Sequence, residues 1–397
     1  MKLSYRELGR YIRQIDVRNT EGKEDNLLGV SVQKTFIPSI ANTVGTDFTK
    51  YKLVKKGQFT YIPDTSRRGD KIGIALLTEH EEGLVSNVYT VFEVINEKEL
   101  MPEYLMLWFS RPEFDRYARF KSHGSVREVM DWDELCKVEL PIPSYEIQEK
   151  VVQSYKIISD RIELKKKIND NLSDMASTLF QKLFLASSDK DQWPMGTFSH
   201  FIQSTVGGDW GQESPTGNYT QEVSCIRGTD IPLLNTGSIS SAPTRYILPK
   251  NFLAKCIKAN DLVVEISGGS PVQATGRVAL VPQQVLDYRG DKLICSNFCR
   301  VVTVDAMYLQ YFLQYWLYLY KAGRMFDYEN SSTGLKNFDF SSFVEKEPIP
   351  IPPEDVVQEY NKLVWPLYRQ LFSNGFEIEA LQDTQQHILP RIMLHGF

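Results

Sequence analysis

The sequence predicts an α+β chain built twice over: a mixed α/β globular segment, a proline hinge and a long helix, then the same three parts again. Three observations carry this. In the stretch 137–185, Pro141-Ile-Pro143 is followed by apolar residues at helical spacing: Ile147, Val151, Tyr155, Ile158 and Ile162, then Leu164, Ile168, Leu172, Met175, Leu179 and Leu183. Steps of three and four describe a long amphipathic helix with a coiled-coil-like seam, and roughly 40 residues make a rod of about 60 Å. The hinge recurs as Pro350-Ile-Pro352, 209 residues on, and the same offset carries Leu172 onto Leu381, Leu179 onto Ile388, Leu183 onto Ile392 and Lys182 onto Arg391. Finally, the segments in front of the two hinges share an order of elements.

Taken in order, residues 5–11 read as a short entry helix, and 26–32, 58–62, 72–77 and 84–94 as strands divided by Gly, Pro and Asp. Residues 102–117 read as one helix with Tyr104, Leu105, Trp108 and Phe109 on one face, and the polar segment 122–127 leads on to the hinge. Proline cannot sit in a helix interior, so the rod starts after Pro143. Its seam changes phase between Ile162 and Leu164, where a change of packing is expected. A rod this long needs a partner, and the C-terminal copy supplies one.

In the second pass, 225–231 stands for 27–32, 261–266 for 58–62 and 276–281 for 72–77. Ser296-Asn297 matches Ser86-Asn87, Tyr308-Leu309 opens a helix as Tyr104-Leu105 does, and 332–338 stands for the polar segment. Pro366 and Gly375 fall inside the second helix and are expected to kink or fray it. The boundaries are therefore 1–143 and 187–349 for the globular segments and 144–186 and 350–397 for the helices.

With 397 residues there is room for two or three domains, and 42% hydrophobic with 24% charged residues is ordinary globular composition. No apolar run reaches the length of a membrane span, and the start MKLSYRELGRYIRQ lacks a signal-peptide core. The five cysteines form no CxxC pair, and Cys295 and Cys299 have no histidine nearby, so buried free thiols are expected rather than zinc, in a cytosolic chain. A net charge of −5 gives no overall field for nucleic acid, so any DNA contact must come from local patches.

A catalytic reading finds little to stand on. There is no G-x-x-x-x-G-K-[ST] phosphate loop, and no Asn/Asp-Pro-Pro-aromatic tetrapeptide, since Glu354 follows Pro352-Pro353. Gly207-Gly208 and Gly268-Gly269 read as turns. Pro63-Asp64 with Glu163-Leu-Lys165 matches the letters of a nuclease site, but the second part lies mid-rod. The histidines are scattered, and no catalytic or metal-ligating residue is assigned. What remains suits nucleic acid: Lys50, Lys52, Lys55 and Lys56; Arg67, Arg68 and Lys71; Lys121, Ser125 and Arg127 at the polar loop; and Arg227, Lys258, Ser267, Gln273, Arg277, Lys336 and Asn337 in the second copy. Loop Lys and Arg suit phosphates, while Arg, Asn and Gln can pair with base edges.

The order of domains, the LPIPSYEIQEKVV hinge, the IELKKKINDNL helix and the CIRGTDI and PEYLMLWFSRPEFDRY segments resemble HsdS, the specificity subunit of type I restriction-modification systems. The resemblance implies two target recognition domains, each binding one half of a bipartite DNA site. It also implies two helices packed antiparallel as a spacer, with a pseudo-twofold internal repeat. Catalysis would lie in partners: two modification (HsdM) subunits using S-adenosylmethionine and restriction (HsdR) subunits using ATP and Mg, in a prokaryotic cytoplasm. No cofactor is then expected in this chain. Apolar residues left over on the helices (Leu164, Ile168, Leu172, Met175, Leu179, Ile378, Leu381 and Ile388) would form the subunit interface. The readings set against this one are a self-sufficient DNA-processing enzyme with an unrecognised site and a coiled-coil scaffold that binds no DNA.

Overall fold

The structure, a computed structural model, describes residues 5–39, 43, 45–65, 71–122, 128–239, 241–268, 272–332 and 335–395. It divides into two units, Met1–Asp160 with Gln382–Phe397 and Arg161–Leu381. Both combine sheets with helices, so the α+β expectation holds.

The first unit opens on a strand, not the expected helix. Tyr5–Glu7 pairs antiparallel with Glu139–Pro141, Tyr5 opposite Pro141, and only Leu8–Arg10 makes a single 3-10 turn. The hinge backbone needs a hydrogen-bonding partner, and the entry segment supplies it. The main sheet is four-stranded and antiparallel, in the order Ile12–Ile15, Thr90–Val94, Phe59–Tyr61, Ile74–Leu76. The expected strand 84–94 is really two, Glu82–Val85 and Thr90–Val94, separated by a turn in which Tyr89 N donates to Ser86 O at 3.0 Å. The expected helix 102–117 is also two, Pro102–Phe109 and Pro112–Lys121. Pro112 pushes Arg111 into an extended conformation (φ −73°, ψ 139°) and then serves as the first residue of the new helix. The core is aromatic: Phe59 and Phe92 stack at 4.8 Å, and Phe109 meets both edge-on.

The first long helix, Tyr145–Phe180, is anchored to this unit by Gln148, which is fully buried. Its Nε2 donates to Glu99 O (2.8 Å) and Pro143 O (2.9 Å), and its Oε1 accepts from Met101 N (2.9 Å). Val151 joins the core with Leu389 and Met393 of the second long helix, and Gln385 Nε2 donates to Ser159 Oγ at 2.6 Å. The two helices therefore run antiparallel here.

The second unit repeats the plan. Met195–Thr197 pairs with Pro348–Pro350, Met195 opposite Pro350, and its four-stranded sheet runs Ile202–Gly207, Cys299–Val304, Asp261–Glu265, Val278–Val281. In each unit a helical tyrosine donates to the hinge proline carbonyl: Tyr104 to Pro141 (3.1 Å) and Tyr311 to Pro350 (2.5 Å). The counterpart of Tyr104 is thus Tyr311, not Tyr308. A further three-stranded sheet joins Thr244–Ile247, Gln221–Ile226 and Leu293–Cys295; the first copy holds a reduced version, Leu28–Val30 paired antiparallel with Phe36–Pro38 and bridged in parallel from Leu27 to Leu84. Phe198, Phe312, Trp316 and Phe343 fill the core, with Trp316 Nε1 satisfied by Gly276 O.

Within this unit the helices pair antiparallel through Ala176 O with the Tyr360 hydroxyl, Asn169 with Leu371 O and Asn374, and Arg161 with Glu377. The first helix shows no change of phase. Its buried and half-buried positions continue through Ile162, Lys165, Asn169, Leu172, Ala176 and Leu179, while Leu164, Ile168 and Met175 lie off the seam and exposed. The apparent shift came from following apolar letters where the seam turns polar. Asn169 and Asn374 are buried there and hydrogen-bond each other at 2.9 Å, and Asn169 Nδ2 also donates to Thr236 O and Leu371 O, each at 3.0 Å. Lys165 Nζ donates to Asn374 Oδ1 (3.0 Å) across 209 positions, the repeat offset, so equivalent residues of the two copies meet at this point.

The second long helix runs unbroken over Glu354–His395, through Pro366 and Gly375. Gly375 is a contact point: a Cβ there would fall 2.1 Å from Gly237 O. Next to it, Ser238 Oγ and Ile239 N both donate to the buried carboxylate of Glu379. The loop 236–239 is thereby bolted to both helices.

Candidate nucleic-acid interface

The site in the second unit is built from a charge at the end of an apolar strand. Asp261–Glu265 is buried along its whole length and ends on Glu265, whose carboxylate must be paired to be tolerated there. Arg277 does this as a fork, Nε to Oε2 at 2.8 Å and Nη2 to Oε1 at 2.6 Å, and the pair raises the guanidinium pKa above its ordinary value. Gly228 is required beside it, since a Cβ would fall 2.6 Å from Glu265 Oε1.

Arg227 is held the same way. Its Nε and Nη2 donate to Asp230 (both 2.9 Å), Nη2 also reaches Ser241 O, and Asp230 accepts in addition from Arg227 N and Ser241 Oγ. Burial pushes the Asp230 carboxyl up, but the hydrogen bonds from Arg227 and Ser241 outweigh it and hold the group below the usual carboxylate range. Both arginines line a concavity of about 590 Å³, together with Trp210, Thr229, Ser267, Gln273, Asn297 and Phe298. Arg245 stacks behind Trp210 at 4.3 Å, and Phe298 is half exposed.

Four residues singled out from the sequence, Arg227, Ser267, Gln273 and Arg277, thus converge on one surface. Asn337 joins them through Ser267, whose Oγ donates to Asn337 Oδ1 at 2.6 Å, and Lys336 beside it pairs with Glu329 at 3.2 Å. Lys258 is exposed and does not line the concavity. Sequence reading missed Trp210, Glu265, Asn297 and Phe298. Only Glu265 carried a signal, as a carboxylate closing the apolar run Leu262-Val-Val264.

In the first unit the lysine cluster splits because strand side chains alternate between faces. Lys55 is exposed, but Lys52 is buried and its ammonium donates to Tyr89 O (2.9 Å) with Asp16 at 3.6 Å, so it is not presented to a phosphate. Lys50, Lys56 and Lys71 are exposed, with Asp47 beside Lys50 and Glu81 beside Lys56. Lys121 is half-buried over Tyr117, 3.8 Å from Glu134. Arg67, Arg68, Ser125 and Arg127 lie outside the described residues.

Of the helix residues singled out for a subunit interface, Leu164, Ile168 and Met175 are exposed. Leu172 and Leu179 are half-buried against the cores of the second unit, Ile378 is buried within the chain, and Leu381 and Ile388 are half-buried. Ile378 therefore offers little to a partner. All five cysteines are free, and Cys225, Cys295 and Cys299 are buried; Cys136 and Cys256 are only half-buried. Burial pushes the Cys225 and Cys299 thiols up to about 12. Glu163 and Lys165, the letters that matched a nuclease, are paired along the helices with Lys167 and Glu377. Among the described residues no group of three His, Cys, Asp or Glu side chains is placed to hold a metal, and no helix is long and apolar enough to cross a membrane.

Residues 14–174 match the family described as type I restriction modification DNA specificity domain. The chain is 25% identical over 330 residues to the type I restriction enzyme MjaIX specificity subunit of Methanocaldococcus jannaschii, covering 76% of this chain and 70% of that one. The HindI specificity subunit of Haemophilus influenzae is 27% identical over 136 residues, 34% of this chain and 29% of its own length. In fold, the crystal structure of the type I S subunit from M. genitalium superposes with a TM-score of 0.58 at 12% identity, covering 99% of this chain and 96% of that one. The family resemblance drawn from the hinge and helix motifs is borne out.

Proposed function

We propose that this chain is the DNA-reading, non-catalytic subunit of a type I restriction-modification assembly. The segments 1–143 and 187–349 each read one half of a bipartite site. The helices at 144–186 and 350–397 act as spacer and as seat for two modification subunits. Methyl transfer from S-adenosylmethionine, and cleavage with ATP and Mg, belong to the modification and restriction partners, in a prokaryotic cytoplasm. The observation that carries this reading is the doubled construction itself: one sheet order and one hinge pairing, made twice, with different side chains on the loops.

The test uses the full chain with its modification subunits on a duplex bearing the site mapped by methylation. Affinity should fall steeply with salt and exceed that for a scrambled duplex. Lys55→Ala with Lys56→Ala should weaken binding to every sequence and lower the salt slope by roughly one for each phosphate no longer neutralised. Gln273→Ala should instead relax one base position, by about 1–3 kcal/mol. Binding that ignored both sequence and salt would end this reading.

Leu164, Ile168 and Met175 follow one another by four and seven residues, so they form one exposed stripe of the first helix. Leu164→Asp with Ile168→Asp should abolish co-purification with the modification subunit. Unfolding should change little, because exposed substitutions typically cost within about 0.5 kcal/mol. Undiminished co-purification would remove the stripe from the interface.

A further inference from the structure

Two polar groups of the concavity in the second unit, the paired Arg277 and Glu265, are recessed. The Arg277 side chain is only 16% exposed and that of Glu265 4%. Side chains that read an intact duplex protrude into a groove to reach base edges. A guanidinium at the floor of a hollow cannot do so, and a base could meet it only by coming in.

The hollow suits such a guest. At about 590 Å³ it falls in the range of about 300–1,000 Å³ typical of sites that enclose a small molecule. Trp210 and Phe298 provide aromatic faces, and Gln273, Asn297 and Thr229 carry both donors and acceptors. Arg227 and Arg277 are held through Nε and Nη2, which leaves Nη1 of each uncommitted to those ion pairs. Two glycines keep the floor clear: a Cβ at Gly228 or Gly268 would fall 2.6 Å or 3.2 Å from Glu265 Oε1.

We propose that this concavity receives one nucleobase of the recognised site, turned out of the duplex and stacked against Phe298. The proposal rests on the DNA-reading function above and names how one position is read. Extrusion costs less for a mispaired base, whereas altering the pair deprives a groove reader of its hydrogen bonds.

The experiment scans every position of the mapped site, except the bases that the assembly methylates, with the opposite base changed to a mispair. Binding is measured by fluorescence anisotropy with the complete methyltransferase assembly. One position should bind roughly tenfold tighter when mispaired. Phe298→Ala should weaken binding to the matched duplex roughly tenfold, the loss of one base–aromatic stack, but leave a duplex abasic at that position unaffected. If every mispair weakened binding or left it unchanged, or if Phe298→Ala cost as much on the abasic duplex, the proposal would be overturned with DNA reading intact. Equal binding to mapped and scrambled duplexes would instead overturn the DNA-reading function itself.

Discussion

Exchanging residues 1–143 for the matching segment of a relative with another specificity will change one half of the methylated sequence and leave the other half as it was. The effect is large because a whole set of base contacts moves at once, each worth about 1–3 kcal/mol of discrimination. The graft is feasible because the segment receives the buried anchor of the first helix, Gln148, through main-chain groups. Gln148 is received by Glu99 O, Met101 N and Pro143 O, which an incoming segment of the same fold supplies whatever its side chains. Side-chain fit is needed where Val151, Val152, Tyr155, Leu389 and Met393 meet the core. Methylation mapping in a host carrying the hybrid reads the outcome. A change in both halves together would show that the segments are not independent readers.

Gly375→Ala will destabilise the second unit by about 3 kcal/mol, the upper end of what an added methyl costs in a tight interior. In an ordinary helix interior the same change stabilises by about 1 kcal/mol, so even the sign is diagnostic. Here the new Cβ would stand 2.1 Å from Gly237 O, 2.4 Å from its carbonyl carbon and 2.6 Å from its Cα. The obstacle is backbone, and it cannot yield easily. Thr236 O is held by Asn169 and Ile239 N by Glu379, while Gly237 sits at φ +87° with its own Cα face against Leu371 O. Denaturant unfolding of the full chain measures the loss. A neutral or stabilising result would mean that the loop and helix do not approach as described.

The plan of the chain was legible because prolines and helical periodicity write themselves plainly in sequence. Two of its errors share one physical origin: partners distant in sequence. Tyr5–Glu7 looks helical by spacing and becomes a strand because Glu139–Pro141 pairs with it. The seam seemed to jump at Leu164 because Asn169 is polar, and nothing local says that it will be buried against Asn374. The split at Pro112 could have been read, since proline in mid-pattern starts a new helix more readily than it bends an old one. At the site, Arg227 and Arg277 were legible as residue types, but their clamping by Asp230 and Glu265, and the aromatic walls at Trp210 and Phe298, depend on strands brought together from across the unit. Lys52 was misjudged because a lysine's letter does not say which face of a strand it occupies.

The bolted loop at 236–239 also bears on how such chains can be recombined. Its receptors Asn169, Gly375 and Glu379 lie outside the second globular segment, in the two helices. A crossover placed at the hinges would therefore hand the helices a foreign loop. That loop would have to present a carbonyl where Thr236 does and a residue without a side chain where Gly237 does. Exchange at the first segment asks for a shared backbone; exchange at the second also asks for a compatible sequence at this one turn. Viable hybrids should accordingly carry glycine at 237 whenever glycine stands at 375, and donors that lack it should be accepted only together with their own second helix.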